Sequence, residues 1–134
     1  MTTELTYLML TTLLTGVLWI PVVIGMVTTR GMLTPADYKV APTEPPLPDW
    51  ANRANRAHIN AVENFAPFAA VVLVAHMLQV STGVTAACAA IFFYARLAHA
   101  IVHILGIFLV RTVLFVVGWV AFLVFLFETW RMAG

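Results

Sequence analysis

Long apolar runs separated by short polar stretches dominate the chain. The first run lies between Glu4 and Arg30 and contains 25 uncharged residues. A helix needs about 20 apolar residues to cross a bilayer. The run therefore predicts a first membrane span over about residues 5–28, bent at Pro21 because proline disturbs helix geometry.

A polar, proline-rich segment follows over residues 30–49 and holds five prolines and several charges. Proline at this density prevents a regular helix, so the segment is predicted to be an aqueous loop. Asp49 ends it and is predicted to cap the next helix by accepting hydrogen bonds from free backbone N–H groups.

Three further helices are predicted after this loop. One runs from about Trp50 to Gln79, with its polar first turns outside the bilayer, a membrane span over about residues 58–79 and a kink at Pro67. The polar residues 79–83 interrupt the next charge-free run, which predicts a turn and then spans over about residues 84–108 and 111–130. The fold class is thus an all-α, four-helix, up-and-down membrane bundle in one domain, residues 1–134.

Composition excludes several other classes of protein. Hydrophobic residues make up 62% of the chain and charged residues 10%, against about 45–50% and about 25% in soluble domains. This composition excludes a soluble globule and a disordered chain, and a net charge of +1 gives no basic surface for nucleic acid. The single cysteine excludes a disulfide framework.

Orientation follows from the excess of Lys and Arg in cytoplasmic segments. One side of the predicted bundle carries five such residues: Arg30, Lys39, Arg53, Arg56 and Arg111. The other side carries Arg131. We therefore expect the first loop in the cytoplasm and both termini on the opposite side.

Polar residues recur at helical spacing on the second predicted helix. Arg53, Arg56, Asn60 and Glu63 are three, four and three positions apart, which places them on one stripe. Such side chains are expected to face the bundle interior, a partner subunit or a polar ligand, because a charge at the bilayer centre costs about 2.5–3.5 kcal/mol.

A second stripe, Arg96, His99 and His103, lies on the third predicted helix. In a purely structural interpretation, Glu63 pairs with an arginine and the histidines bond between helices. A metal site at His99 and His103 would need further ligands and is disfavoured. In a ligand-binding interpretation, the arginines hold carboxylates, Glu63 holds an ammonium group and a cation favours a thiolate. These needs match glutathione in outline, although the residues alone do not select it over another zwitterion.

Residues 53–68, RANRAHINAVENFAPF, resemble the signature of the MAPEG family, the membrane-associated proteins in eicosanoid and glutathione metabolism. The resemblance rests on the pattern Arg-Ala-His-x-Asn-x-x-Glu followed by Pro-Phe, and on the four-span layout. It implies a homotrimer that binds glutathione as co-substrate between neighbouring subunits, near the cytoplasmic face.

The resemblance also assigns roles to individual residues. It implies that glutathione contacts Arg53, Arg56, Asn60 and Glu63 on the second helix and Arg96, His99 and His103 on the third. With one residue deleted from the connection before it, Arg111 matches the arginine that family members place beside the sulfur, which makes it the candidate catalytic residue. Thr112 would supply a hydroxyl where members often have serine.

The chain also departs from the glutathione-using enzymes of the family. Ile59 replaces an arginine, His103 and Phe115 replace tyrosines, and Met26 stands near the position of another cation. We expect an enzyme that transfers glutathione to hydrophobic electrophiles, or reduces lipid hydroperoxides with it, in contact with membrane lipid. The alternative is a non-catalytic lipid-binding or accessory subunit on the same scaffold. A channel or transporter is disfavoured because no pair of broken helices is predicted.

Overall fold

A computed structural model describes residues 1–32, 34–35 and 45–134. The described residues form five helices and no strand: α1 (Thr3–Val17), α2 (Ile20–Arg30), α3 (Asp49–Met77), α4 (Gly83–Leu105) and α5 (Phe108–Ala133). Four helical stretches are long and apolar enough to cross a membrane, and the first of them, Thr3–Arg30, comprises α1 and α2. The predicted all-α membrane architecture is confirmed. Half of the predicted loop, residues 33 and 36–44, lies outside the described ranges.

The first span is interrupted rather than merely bent. Helix α1 ends at Val17, and α2 begins at Ile20 with Pro21 in its first turn. Proline lacks an N–H, and its ring collides with the carbonyl four residues earlier, which here belongs to Val17. The break therefore lies just before Pro21, where the chain can leave one helix and start another without that collision.

The other helix boundaries differ from the sequence predictions by a few residues. The predicted cap at Asp49 is wrong, because Pro48 occupies the cap position and Asp49 lies in the first turn of α3. Helix α4 ends at Leu105, three residues early, where Gly106 adopts a left-handed conformation with φ of 83°. Glycine has no Cβ and takes this conformation without steric cost. Helix α5 then begins at Phe108, so only two residues connect α4 to α5.

Helix α4 lies at the centre of the bundle and packs against α1, α3 and α5. Its buried face meets the core through Phe92, which stacks on Phe68 of α3 with ring centroids 3.9 Å apart. Phe125 of α5 meets Phe68 edge-on at 6.2 Å. Aromatic pairs of this kind contribute about 0.5–1.5 kcal/mol beyond the area that they bury. The three rings thus join α3, α4 and α5 at the middle of the bundle.

Helix α2 approaches α3 closely because small residues meet there. Gly25 faces Ala51, and a Cβ added to Gly25 would collide with the Ala51 side chain. Ala51, Ala54 and Ala57 are all buried along this part of α3. Small residues allow close contact between membrane helices, where dispersion forces drive association. This contact ties the second half of the first span to the start of α3.

A buried carboxylate ties the start of α1 to the start of α4. Glu4 is 4% exposed. It accepts hydrogen bonds from the Thr85 hydroxyl at 2.5 Å and from the Ser81 hydroxyl at 3.0 Å. Thr82 beside them caps α4 in a reciprocal arrangement with Thr85. These bonds close the end of the bundle that holds the turn between α3 and α4.

We expect Glu4→Ala to lower the free energy of unfolding by about 1–3 kcal/mol, because Thr85 and Ser81 would lose their buried acceptor. Glu4→Gln keeps one acceptor oxygen and should lose less. Unfolding of the purified protein in detergent measures both changes. Equal stability of Glu4→Ala and the wild type would contradict a structural role for this carboxylate.

Candidate functional site

The candidate site lies at the opposite end of the bundle, where α3 begins, α4 ends and α5 begins. A cavity of about 400 Å³ opens there between these three helices. It is lined by Arg56, Ile59, Asn60, Glu63, His99, His103, Arg111, Thr112 and Phe115. Seven of the nine residues predicted from the sequence therefore line one cavity, and the other two, Arg53 and Arg96, lie beside it.

Arg53 binds the end of α4 instead of lining the main cavity. Its Nε donates to the Ile104 carbonyl at 2.8 Å, and Gly106 lies against its guanidinium. The last carbonyls of a helix lack partners within the helix and carry partial negative charge. Arg53 satisfies one of them. It also lines a smaller neighbouring cavity of about 120 Å³ together with Arg56, His103 and Arg111.

Arg96 is buried in the bundle interior and is 3% exposed. Its Nη1 donates to Asn60 Oδ1 on α3, and its Nη2 donates to the Phe115 carbonyl on α5, each at 3.1 Å. The guanidinium lies 5.5 Å from the Phe92 ring centroid and 5.0 Å from that of Phe115. The structural interpretation paired Glu63 with an arginine, but the hydrogen-bond partners of Arg96 are the Asn60 amide and a backbone carbonyl.

This contact fixes how Asn60 faces the cavity. Because Arg96 uses the Oδ1 oxygen, the side-chain NH₂ of Asn60 is left as the group that can donate to a ligand. The Asn60 carbonyl accepts from Asn64 Nδ2 at 2.8 Å one turn later. Arg96 thus acts on the site through Asn60.

The two histidines of α4 are buried side by side at the cavity wall. The rings of His99 and His103 meet edge-on with centroids 5.3 Å apart. The Nη1 of Arg111 lies 3.4 Å from His103 Nε2, and the Arg111 guanidinium lies 5.1 Å from the Phe108 ring centroid. His103 Nδ1 is buried and makes no hydrogen bond with a described residue.

Glu63 is exposed on α3 and lines the cavity. The structure describes no ion pair between it and an arginine, contrary to the structural interpretation. An ion pair does form at the other end of the bundle, between Arg131 and Glu128 at 2.9 Å.

Within the described ranges, no three His, Cys, Asp or Glu side chains are grouped as a metal site would require.

The model of the MAPEG family matches residues 5–130. This range includes the second and third spans, all but the ends of the first and fourth, and every residue that lines the cavity. The chain belongs to the MAPEG family. Comparisons with curated proteins and with solved structures give no match. The resemblance drawn from the sequence is therefore confirmed, and the MAPEG family is associated with membrane glutathione and eicosanoid metabolism.

Sequence reasoning missed the aromatic and glycine contacts that hold the arginines of this MAPEG site. Phe92, Phe108 and Phe115 lie in apolar runs, and nothing in their spacing marks them as partners of guanidinium groups. Gly118 could have indicated one of these contacts from the sequence, because an isolated glycine inside a helix often marks a place where another group approaches the backbone closely. A Cβ added there would lie 2.8 Å from Arg96 Nη2 and 2.9 Å from its Nε.

We expect Gly118→Ala to displace Arg96 and lower the free energy of unfolding by about 1–3 kcal/mol, because overpacking a buried contact forces the neighbours to shift. Gly16→Ala is the matched control. A Cβ at Gly16 meets nothing within 4 Å, so this change should leave stability unchanged or raise it. Thermal unfolding of both variants in detergent measures the difference. A Gly118→Ala variant as stable as Gly16→Ala would refute this tight contact.

Proposed function

We propose that the protein is a membrane-bound, glutathione-dependent enzyme that acts on hydrophobic electrophiles or lipid hydroperoxides, as a transferase or a peroxidase. The observation that carries the proposal is the single cavity that gathers Arg56, Asn60, Glu63 and Arg111 from two different spans. Membership of the MAPEG family supports glutathione as the co-substrate.

The donors and acceptors at the cavity match the groups of glutathione. Arg56 and the neighbouring Arg53 would hold carboxylates, since guanidinium groups bind them in bidentate fashion. Glu63 has no cationic partner among the described residues and would take the ammonium group. The side-chain NH₂ of Asn60 would donate to a peptide carbonyl. Each charged group of glutathione would thus face a side chain of opposite charge.

Arg111 would stabilise the sulfur as a thiolate. A fixed cation lowers the pKa of a thiol, and lowering it from about 8.5 toward 7 raises the thiolate fraction at neutral pH by about tenfold or more. The thiolate is the reactive form in both transferase and peroxidase chemistry. Thr112, one residue along α5, adds a hydroxyl at the same cavity wall.

The hydrophobic substrate would enter from the lipid side. Ile59 and Phe115 form apolar parts of the cavity wall, and Ile59 is 47% exposed on the outer surface of α3. A substrate dissolved in the bilayer would therefore reach the sulfur without crossing water. Positioning it against the thiolate would supply the remaining rate enhancement.

We further propose that a homotrimer completes the site. Glu63 is exposed on the surface of one subunit although it lies within the predicted membrane span, residues 58–79. A charged side chain that faces lipid is unfavourable, so a neighbouring subunit or a ligand has to cover it. The excess of Lys and Arg at this end of the bundle supports a cytoplasmic location for the cavity and the first loop.

We expect the purified protein to bind glutathione with micromolar to millimolar affinity, and Arg56→Ala to weaken this binding by about tenfold or more, because it removes a charged hydrogen-bond donor. Calorimetry in detergent measures both affinities. Arg131→Ala is the control, since Arg131 pairs with Glu128 at the other end of the bundle. A wild-type protein that does not bind glutathione would contradict the proposal.

We expect Arg111→Ala to abolish turnover while leaving glutathione binding largely intact, because the lost cation acts on the sulfur and the peptide ends keep their partners. Turnover of a hydrophobic electrophile and calorimetry of the same preparation separate the two effects. Equal losses of turnover and binding would count against the thiolate role of Arg111.

A second candidate function is a non-catalytic lipid-binding or accessory subunit. An apolar groove of about 520 Å³ favours it and lies between the second halves of α3 and α5, with Pro67 and Trp130 near its two ends. A groove of this kind can hold an acyl chain. A stable complex with an unrelated membrane protein, together with failure to bind glutathione, would favour this function.

A further inference from the structure

We propose that His103 is a positioning residue for Arg111: its neutral imidazole accepts a hydrogen bond from the guanidinium and holds the cation at the cavity without neutralising it. The proposal rests on the function above, in which Arg111 stabilises a thiolate. It adds the means by which a flexible side chain is fixed beside the sulfur.

The hydrogen-bonding roles follow from the chemistry of the two groups. Arg111 Nη1 and His103 Nε2 are 3.4 Å apart. A guanidinium group has donors and no acceptor, so the imidazole nitrogen that faces it has to offer a lone pair. His103 Nε2 is therefore unprotonated, and the proton of the neutral ring lies on Nδ1. This tautomer leaves a buried Nδ1–H without a hydrogen-bond partner among the described residues, a cost that the bond to the charged guanidinium has to offset.

The surroundings of His103 also favour the neutral ring. His103 is 8% exposed and lines the smaller cavity together with Arg53 and Arg56 from α3 and Arg111 from α5. On its own helix it meets His99. A second proton would place another cation among three arginines in a buried position, which both charge repulsion and desolvation oppose. The carboxylate of Glu63 lines the larger cavity.

Phe108 supplies a second restraint on Arg111. Its ring centroid lies 5.1 Å from the Arg111 guanidinium carbon. The ring and the imidazole together limit the guanidinium from two directions, and neither carries a negative charge. A carboxylate in place of His103 would also fix the guanidinium, but it would offset the positive charge that acts on the sulfur. A neutral acceptor keeps that charge available.

Three substitutions at His103, each made in the full chain, distinguish the effect of holding Arg111 in place from the effect of neutralising its charge. His103→Gln keeps a neutral acceptor, His103→Leu removes the acceptor, and His103→Glu supplies a charged one. For each, glutathione binding is measured by calorimetry, ionisation of the bound thiol by thiolate ultraviolet absorbance against pH, and kcat and KM with a hydrophobic electrophile. His76→Leu, at the other end of α3, is the control.

We expect His103→Gln to retain more of the thiolate fraction and of kcat than His103→Leu, because its amide oxygen can still accept a hydrogen bond from Arg111. His103→Leu should lower both the thiolate fraction at neutral pH and kcat by about tenfold, with little change in KM, because hydrogen bonds to charged groups have energies of this size. His103→Glu should lower both at least as much, although it retains an acceptor. A His103→Leu protein that ionises the bound thiol like the wild type would overturn the inference, and so would a His103→Glu protein that matches His103→Gln.

The wild-type protein provides a test that needs no variant. Nitrogen NMR of isotope-labelled histidine should show a neutral His103 ring with its proton on Nδ1, and a cationic ring or the other tautomer would overturn the inference. Failure of the wild type to bind glutathione would overturn the proposed function together with this inference. If the wild type and His103→Leu bind glutathione and ionise its thiol equally well, the inference is overturned but the proposed function is not.

Discussion

The buried guanidinium of Arg96 joins three of the four membrane spans beneath the candidate site. It bonds to Asn60 on α3 and to a backbone carbonyl of α5, while its own helix, α4, packs at the centre of the bundle. A buried cation without a carboxylate partner is stable only when its surroundings supply dipoles and aromatic faces. Phe92 and Phe115 provide the faces. Arg96 therefore links α3 to α5 next to the cavity, and the contacts among Phe68, Phe92 and Phe125 join the same three helices at the middle of the bundle.

The two ends of the bundle use their charges differently. At one end, Glu4 and Glu128 are satisfied within the protein by hydroxyl groups and by Arg131. At the other end, Arg56 and Glu63 line a cavity and have no ion-pair partner among the described residues. Polar groups that are fully satisfied stabilise a fold, whereas charged groups held apart with an opening between them are available for a ligand. The hydrogen bonds at the first end hold the bundle together, whereas the charged groups at the second end remain available for the proposed ligand.

Much of the fold could be predicted because hydropathy and span length constrain a membrane protein so strongly. The stripe from Arg56 to Glu63 could be predicted because helical spacing alone places it on one face. The partners of Arg96 could not, since they belong to other helices and one of them is a backbone carbonyl. The break before Pro21 and the early end of α4 at Gly106 depend on local backbone geometry, which hydrophobic pattern does not contain.

The length of the connection between α4 and α5 helps to determine the geometry of the site. His103 and Arg111 belong to different helices, yet only two residues, Gly106 and Ile107, separate those helices. Gly106 is left-handed and Ile107 is extended, so these two residues set the direction in which α5 leaves α4. A change in the length of this connection would alter where Arg111 lies relative to His103 while every side chain of the site stayed the same. The backbone between the two helices therefore sets the position of the Arg111 guanidinium as much as the side chains around it do.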